Sequence, residues 1–180
     1  MGRRDRFVGR RLLLMGSKKY RAKRLPTRIA KKIDEAIARN MKIIVGEVPG
    51  ACKLYQDYLK SRNYANVVVG HAKSMRYNAG NWKMRRYGNS VTEREHSMIR
   101  KCDSAIIIWT DNSGVIAENL ELLKRLGKPT FLYEYYTETK VTKAGWLDLE
   151  RTYDPYYYWK ERMRKRKKSK HGGGRRQQKA

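Results

Sequence analysis

Short apolar runs alternate with longer amphipathic stretches along most of the chain. Leu12-Leu13-Leu14-Met15, within residues 11–16, predicts a first strand that ends in Gly16-Ser17. A basic loop over 18–24 leads to Pro26, a residue suited to the first turn of a helix. Ile29, Ile33 and Ile37 then recur every four residues as far as Asn40, the spacing of one buried helix face. Ile43-Ile44-Val45 is too short and too β-branched for a helix and predicts a second strand,. The chain breaks at Gly46-Glu47-Val48-Pro49-Gly50. It resumes with Leu54, Tyr55, Tyr58 and Leu59, spaced i, i+1, i+4, i+5 as on an amphipathic helix,. Val67-Val68-Val69 predicts a third strand over 66–70.

Residues 71–90 break the rhythm. HAKSMRYNAGNWKMRRYGNS has no periodicity and predicts a 20-residue loop, a length usually kept for function or a partner,. Thr92-Glu93-Arg94-Glu95 matches a capping box that opens a helix to Lys101,. Ala105-Ile106-Ile107-Ile108, within residues 103–109, reads as a fourth strand buried on both faces,. Asn112-Ser113-Gly114 opens a last helix with Ile116, Leu120, Leu123 and Leu126 facing inward, stopped by Gly127 and Pro129,. Thr130 to Tyr133 is the fifth strand. Strands separated by helices pair in parallel. The expected fold class is therefore α/β, a Rossmann-like three-layer sandwich with a five-stranded parallel sheet. Residues 11–136 make up this domain. Residues 137–159 form an aromatic C-terminal segment in which Asp154 and Pro155 could start a helix carrying Tyr156, Tyr157, Tyr158 and Trp159,.

Charge changes the picture at both ends. The 180 residues carry a formal +26. Residues 1–28 contribute +10, residues 160–180 another +10, and the long middle only +6. Residues 1–10 therefore read as a basic N-terminal extension and 160–180 as a basic tail, with Gly172-Gly173-Gly174 before its last arginines. Such segments cannot bury apolar surface, and a polyanion would neutralise them. Cys52 and Cys102 lie 50 apart with no CxxC pattern, and His71, His96 and His171 share no ligand spacing. No metal is expected, and the cysteine usage fits a reducing, cytoplasmic compartment. No apolar run approaches the roughly 20 residues of a membrane span, so no membrane partner is expected, and the N-terminus matches neither a myristoylation nor a secretory signal.

A strand turning through glycines into a helix can cradle phosphate, because the backbone approaches the anion and the helix N-terminus offers N–H groups. Gly16-Ser17-Lys18 and Gly46-Glu47 with Gly50 occupy two such corners. Arg76 and Asn78 lie in the long loop, and Ser113-Gly114 opens the last helix. These corners, Arg76-Tyr77-Asn78-x-Gly80-Asn81-Trp82, and Asp103-Ser104-Ala105 before an apolar strand together resemble the SLOG superfamily. That superfamily contains DprA/SMF proteins and LOG phosphoribohydrolases. Over residues 10–136 the resemblance implies a sheet ordered 3-2-1-4-5 and a nucleotide-derived ligand above the strand C-termini. The chain departs from the family where G-D-x-x-G-x-D would stand. Glu47 holds the first acid position and Cys52 the second, and a thiol cannot act as a carboxylate base. A bound nucleotide is thus the one candidate ligand, no other cofactor is called for, and no catalytic residue is assigned.

Cations interleaved with aromatics point to a second chemistry, phosphate contacts beside base stacking. Lys18, Lys19, Tyr20, Arg21, Lys23 and Arg24 form one such group, and Trp82, Lys83, Arg85, Arg86 and Tyr87 another. Arg3, Arg4, Arg6, Arg10 and Arg11 extend it toward the N-terminus. Arg162, Arg164, Lys165, Arg166, Lys167, Lys168, Lys170, Arg175 and Arg176 supply the C-terminal tail. A compact body with long basic ends is the design of ribosomal proteins. The expected function is that of an RNA-binding, ribosome-associated structural protein contacting rRNA and neighbouring ribosomal proteins, from an archaeal source. A nucleotide-processing enzyme or sensor of the SLOG type is the alternative, and a DprA-like single-strand DNA binder the third.

Overall fold

Alternation along the central strand decides the layering. The computed structural model describes residues 6–112 and 114–150. In it Leu12 and Leu14 of β1 (Arg11–Gly16) point into one core, and Leu13 and Met15 into another. The first core is closed by Ile29, Ile33 and Ala36 of α1 (Thr27–Ala38) and by Ala51, Tyr55 and Leu59 of α2 (Ala51–Ser61). The second is closed by Met98 and Ile99 of α3 (Val91–Lys101) and by Ile116, Ala117, Leu120, Leu122 and Leu123 of α4 (Ile116–Arg125). All three leucines of β1 are fully buried, each worth about 1.5–3 kcal/mol of transfer free energy. Strands apolar on both faces belong to the middle of a sheet covered on both sides.

The other strands are β2 (Lys42–Gly46), β3 (Val67–His71), β4 (Lys83–Arg86), β5 (Ser104–Thr110), β6 (Thr130–Tyr135) and β7 (Thr142–Trp146). They form one seven-stranded sheet in the order β4-β3-β2-β1-β5-β6-β7, parallel except for β7. From β1 the chain winds outward through β2 and β3 with α1 and α2 on one face. It then returns to β5 and winds the opposite way with α4 on the other face. Reversing both direction and face keeps one crossover hand. The result is an open, mostly parallel α/β sheet of Rossmann-like form, with its switch point between β1 and β5, where such folds place ligands.

Among the described residues the sheet has seven strands, not five, and both additions are edges. β4 lies inside the segment expected to be a loop and pairs with β3, Val69 opposite Met84. Its sequence, Lys-Met-Arg-Arg, hides the strand because only Met84 is partly buried while the three cations are exposed. Charged side chains are what an uncovered edge requires. β7 pairs antiparallel with β6 and carries Trp146, whose ring meets Phe131 and Phe7 edge-on at 5.6 and 5.3 Å. The folded body consequently reaches past both expected limits. Phe7 is buried, its carbonyl accepts from Arg39 Nη1 at 2.9 Å, and Val8 is bonded through both backbone groups to Ser104 Oγ. Leu147 is buried at the other end.

Two helix ends also differ from expectation. Ser90, not Thr92, caps α3, accepting from the Glu93 N–H at 3.1 Å, while the Glu93 carboxylate accepts from the Asn89 N–H at 2.8 Å. Moving the box back by two residues frees Glu95 to turn inward. Leu126 falls just past the last turn of α4 and is exposed. At the C-terminus of α3, Lys128 Nζ donates to the carbonyls of Ile99, Arg100 and Cys102 at 2.6–2.9 Å, placing a cation where the helix dipole favours one. The aromatic cluster at 154–159 and the tail at 160–180 lie outside the described residues. Among the described residues no helix is long and apolar enough to cross a membrane, and no three His, Cys, Asp or Glu residues are grouped to hold a metal.

Candidate functional site

The crevice at the switch point is built from the βα corners that the sequence singles out, and it is stitched shut. Ser17 is buried. Its N–H donates to the Ile108 carbonyl and its Oγ accepts from the Thr110 N–H, both at 2.8 Å, so the corner is tied to β5. Its carbonyl accepts from the Ala51 N–H at 3.2 Å, occupying the first donor of α2. Gly50 has φ +88, and a Cβ there would come within 2.5 Å of the Ser17 and Lys18 carbonyl oxygens. Gly16 likewise has no room, since a Cβ would lie 2.5 Å from the Ala51 Cβ. These glycines allow chain to approach chain. The same residue pattern that admits phosphate in other proteins here admits a neighbouring loop.

The remaining nucleotide-site candidates are drawn into structure too. Gly46 makes room for the Cys52 sulfur, and its carbonyl accepts from Gln56 Nε2 at 2.8 Å. Asn78 bonds the backbone of Trp82 through both side-chain atoms, at 3.0 and 2.8 Å, closing the turn before β4. Fully buried Gln56 also donates to the Tyr77 carbonyl and accepts from the Ala79 N–H. Tyr77 in turn bonds Asp57. Segment 76–82 is thereby fastened to α2, and Arg76 keeps an exposed side chain. Gly114 has φ +75 and open space around it; Ser113 lies outside the described residues.

Beneath this corner sits a polar cluster that the motif reading misses. Glu47, at the end of β2, is 2% exposed; one carboxylate oxygen accepts from the Arg76 N–H and the other is 3.7 Å from Arg94 Nη1. Arg94 Nη2 is 3.5 Å from Glu95, and Glu95 accepts from Asn119 Nδ2 at 2.8 Å. Arg94 Nε has no hydrogen-bond partner among the described residues. Beside it, burial pushes the Cys52 thiol up to about 11, so it is a neutral packing group and a poor nucleophile. The signal for the cluster was in α3 all along. The stripe Met98, Ile99, Cys102 continues one turn back onto Arg94 and Glu95, which must then face inward. Glu118 is exposed, while its neighbour Asn119 is the residue that turns in.

The exposed chemistry lies on the loops above β1, β2 and β3. Lys18, Lys19, Arg21, Lys23 and Arg24 follow β1, and Lys73 and Arg76 follow β3; all are exposed, and none forms an ion pair among the described residues. The single acid of those loops is Glu47, buried on Arg94. This half of the sheet's carboxyl edge is therefore a rim of cations, with its acids on the β5–β7 side at Asp111, Glu118 and Glu138.

Several residues expected to contact RNA are placed differently. Tyr20 is 6% exposed, with its ring edge-on to Tyr133 and Tyr135 at 6.5 and 5.9 Å. With so little of it exposed, it is a core side chain and offers no face for stacking, and burial pushes its hydroxyl up to about 12. Arg11 is held by Asp103, with Nη2 at 2.8 Å and Nε at 3.1 Å, and the guanidinium keeps the Asp103 carboxyl below its usual range. Tyr87 is half-buried, with Arg85 over its ring at 5.5 Å. Arg86 bonds Asn89 and the Gly88 carbonyl. Trp82 is partly buried and donates from Nε1 to the Tyr64 carbonyl at 2.8 Å. Lys83, Arg6 and Arg10 are exposed. Arg3, Arg4 and the cations from Arg162 to Arg176 lie outside the described residues.

Fold and rim define a doubly wound α/β protein with one basic half-edge and a closed switch-point crevice. Searches of protein families, of curated proteins and of solved structures find no match to the chain.

Proposed function

We propose that this protein is an RNA-binding structural protein, a ribosomal subunit protein of archaeal type built on a catalytically degenerate SLOG-like domain. The observation that carries this reading is the rim: exposed cations on adjacent loops, unpaired among the described residues and with no exposed acid in those loops. A solvated surface selected only for solubility mixes both signs. The basic ends add to it, and rRNA with its neighbouring proteins is the partner such ends would meet. The closed crevice weighs against the enzymatic alternative. Glu47 is engaged by Arg94 and by the Arg76 backbone, Cys52 is neutral, and the Ser17 carbonyl occupies the first N–H of α2.

Changing Lys18, Lys19, Arg21, Lys23 and Arg24 to Gln tests the rim. Each phosphate contact steepens the log–log salt dependence by about 0.7–0.9, so the slope for purified rRNA should fall by about 3.5–4.5. The melting temperature should move little, because exposed unpaired charges contribute little stability. An unchanged slope would remove the rim from the binding surface.

A further inference from the structure

At the opposite end of β3 and β4 from the rim, the surface opens into a groove of about 730 Å³. That is within the roughly 300–1,000 Å³ of small-ligand clefts. Its walls come from the end of α2 (Lys60, Asn63), from Tyr64, and from the turn 79–83 that carries Trp82 and Lys83. The indole is locked in place. Nε1–H donates to the Tyr64 carbonyl at 2.8 Å, and the Gly80 backbone lies so close to the ring that a Cβ would sit 2.2 Å from Cε2. Asn78 fastens both backbone groups of Trp82. Among the described residues no acid lines the groove, while Lys60 and Lys83 are exposed there. Lys83 also opens the edge strand β4, whose exposed Arg85 and Arg86 run from the groove toward the cationic rim.

We infer that this groove holds one unpaired nucleotide of a single-stranded RNA segment whose backbone follows the β4 edge. The inference rests on the RNA-binding reading and adds a site to it. The base packs on the part of Trp82 that lines the groove, beside Tyr64, while Lys60 and Lys83 neutralise the flanking phosphates. Packing on an aromatic already held in position needs no ordering of the side chain on binding, and it tolerates any base. Cations beside a rigid ring, without acids, match the charge and shape of a nucleotide and not those of an apolar peptide.

Full-length protein is to be irradiated with a uridine hexanucleotide carrying 4-thiouridine, with cross-links mapped by mass spectrometry. Binding is measured in parallel over a salt series for the wild type, for Lys60→Gln/Lys83→Gln, and for Trp82→Leu. Cross-links are expected in peptides spanning 60–64 or 79–83. The double lysine variant, which alters only exposed side chains, should flatten the salt slope by about 1.4, two single-strand contacts. Trp82→Leu should weaken hexamer binding at least about fivefold, the low end of one base–aromatic stack. Cross-links elsewhere with an unchanged slope would overturn the groove while leaving RNA binding intact. Failure of the wild type to bind either the hexamer or rRNA at low salt would overturn the RNA-binding reading itself.

Discussion

Arg94→Ala is expected to destabilise the protein by about 3–5 kcal/mol, the usual cost of removing one partner from a buried ion pair. Among the described residues Arg94 is the only cation paired with Glu47 and Glu95, and its side chain is 3% exposed. Without it two buried carboxylates face each other's field with only the Arg76 N–H and the Asn119 amide as donors. Against a typical total stability of about 5–15 kcal/mol, that loss brings the protein near its threshold. Adding Glu47→Gln and Glu95→Gln to an Arg94→Met change should recover much of it, because the uncompensated charge is then gone. Urea unfolding of the three forms measures this directly. A loss below about 1 kcal/mol for Arg94→Ala would mean that the cluster is not a dry ion network.

Removal of residues 160–180 is expected to have the largest effect on binding and a small one on folding. The segment holds 11 Lys/Arg against one acid. If about eight of those side chains reach phosphates, the log–log salt slope for rRNA falls by about 6–7. Among the described residues the elements that bury the two cores end by Leu147, and cooperative unfolding is expected to persist with nearly the same midpoint. At the other end the tolerance is narrower. A deletion that passes Phe7 takes a buried ring off Trp146 and the acceptor of Arg39 with it. Truncation to residue 5 and truncation to residue 10 should therefore differ sharply in melting temperature, which a thermal scan resolves.

The five central strands were legible because runs such as Leu12–Met15 and Ala105–Ile108 are apolar on both faces, a pattern only an interior strand needs; their order was not in the runs and was implied only by the family resemblance. The edges were not legible for the complementary reason. Lys83–Arg86 shows no alternation, since an edge strand is selected against pairing and carries cations instead. Phe7, isolated among arginines, gives no periodicity at all; only its contact with Trp146 reveals its place. At the switch point the glycines were read as a phosphate cradle, but glycine marks only a close approach and does not specify what approaches. Phosphate and a neighbouring carbonyl both need a missing Cβ. Tyr20 was misleading because its neighbours Lys19 and Arg21 are exposed, whereas the loop turns its ring back onto Tyr133 and Tyr135. Gln56 and Asn119, which tie loops and carboxylates together, carry no motif. Their helical positions, on the same faces as Cys52 and Leu59 or Ile116 and Leu123, are what mark them as buried.

Association with the ribosome is the property that decides the proposed function. Native extract of the source cells is to be separated on sucrose gradients at high salt and each fraction probed for the protein. Co-sedimentation with one ribosomal subunit, near one copy per particle and persisting through the salt wash, is the expected result. Recovery of the protein at the top of the gradient, free of rRNA at both low and high salt, would contradict it.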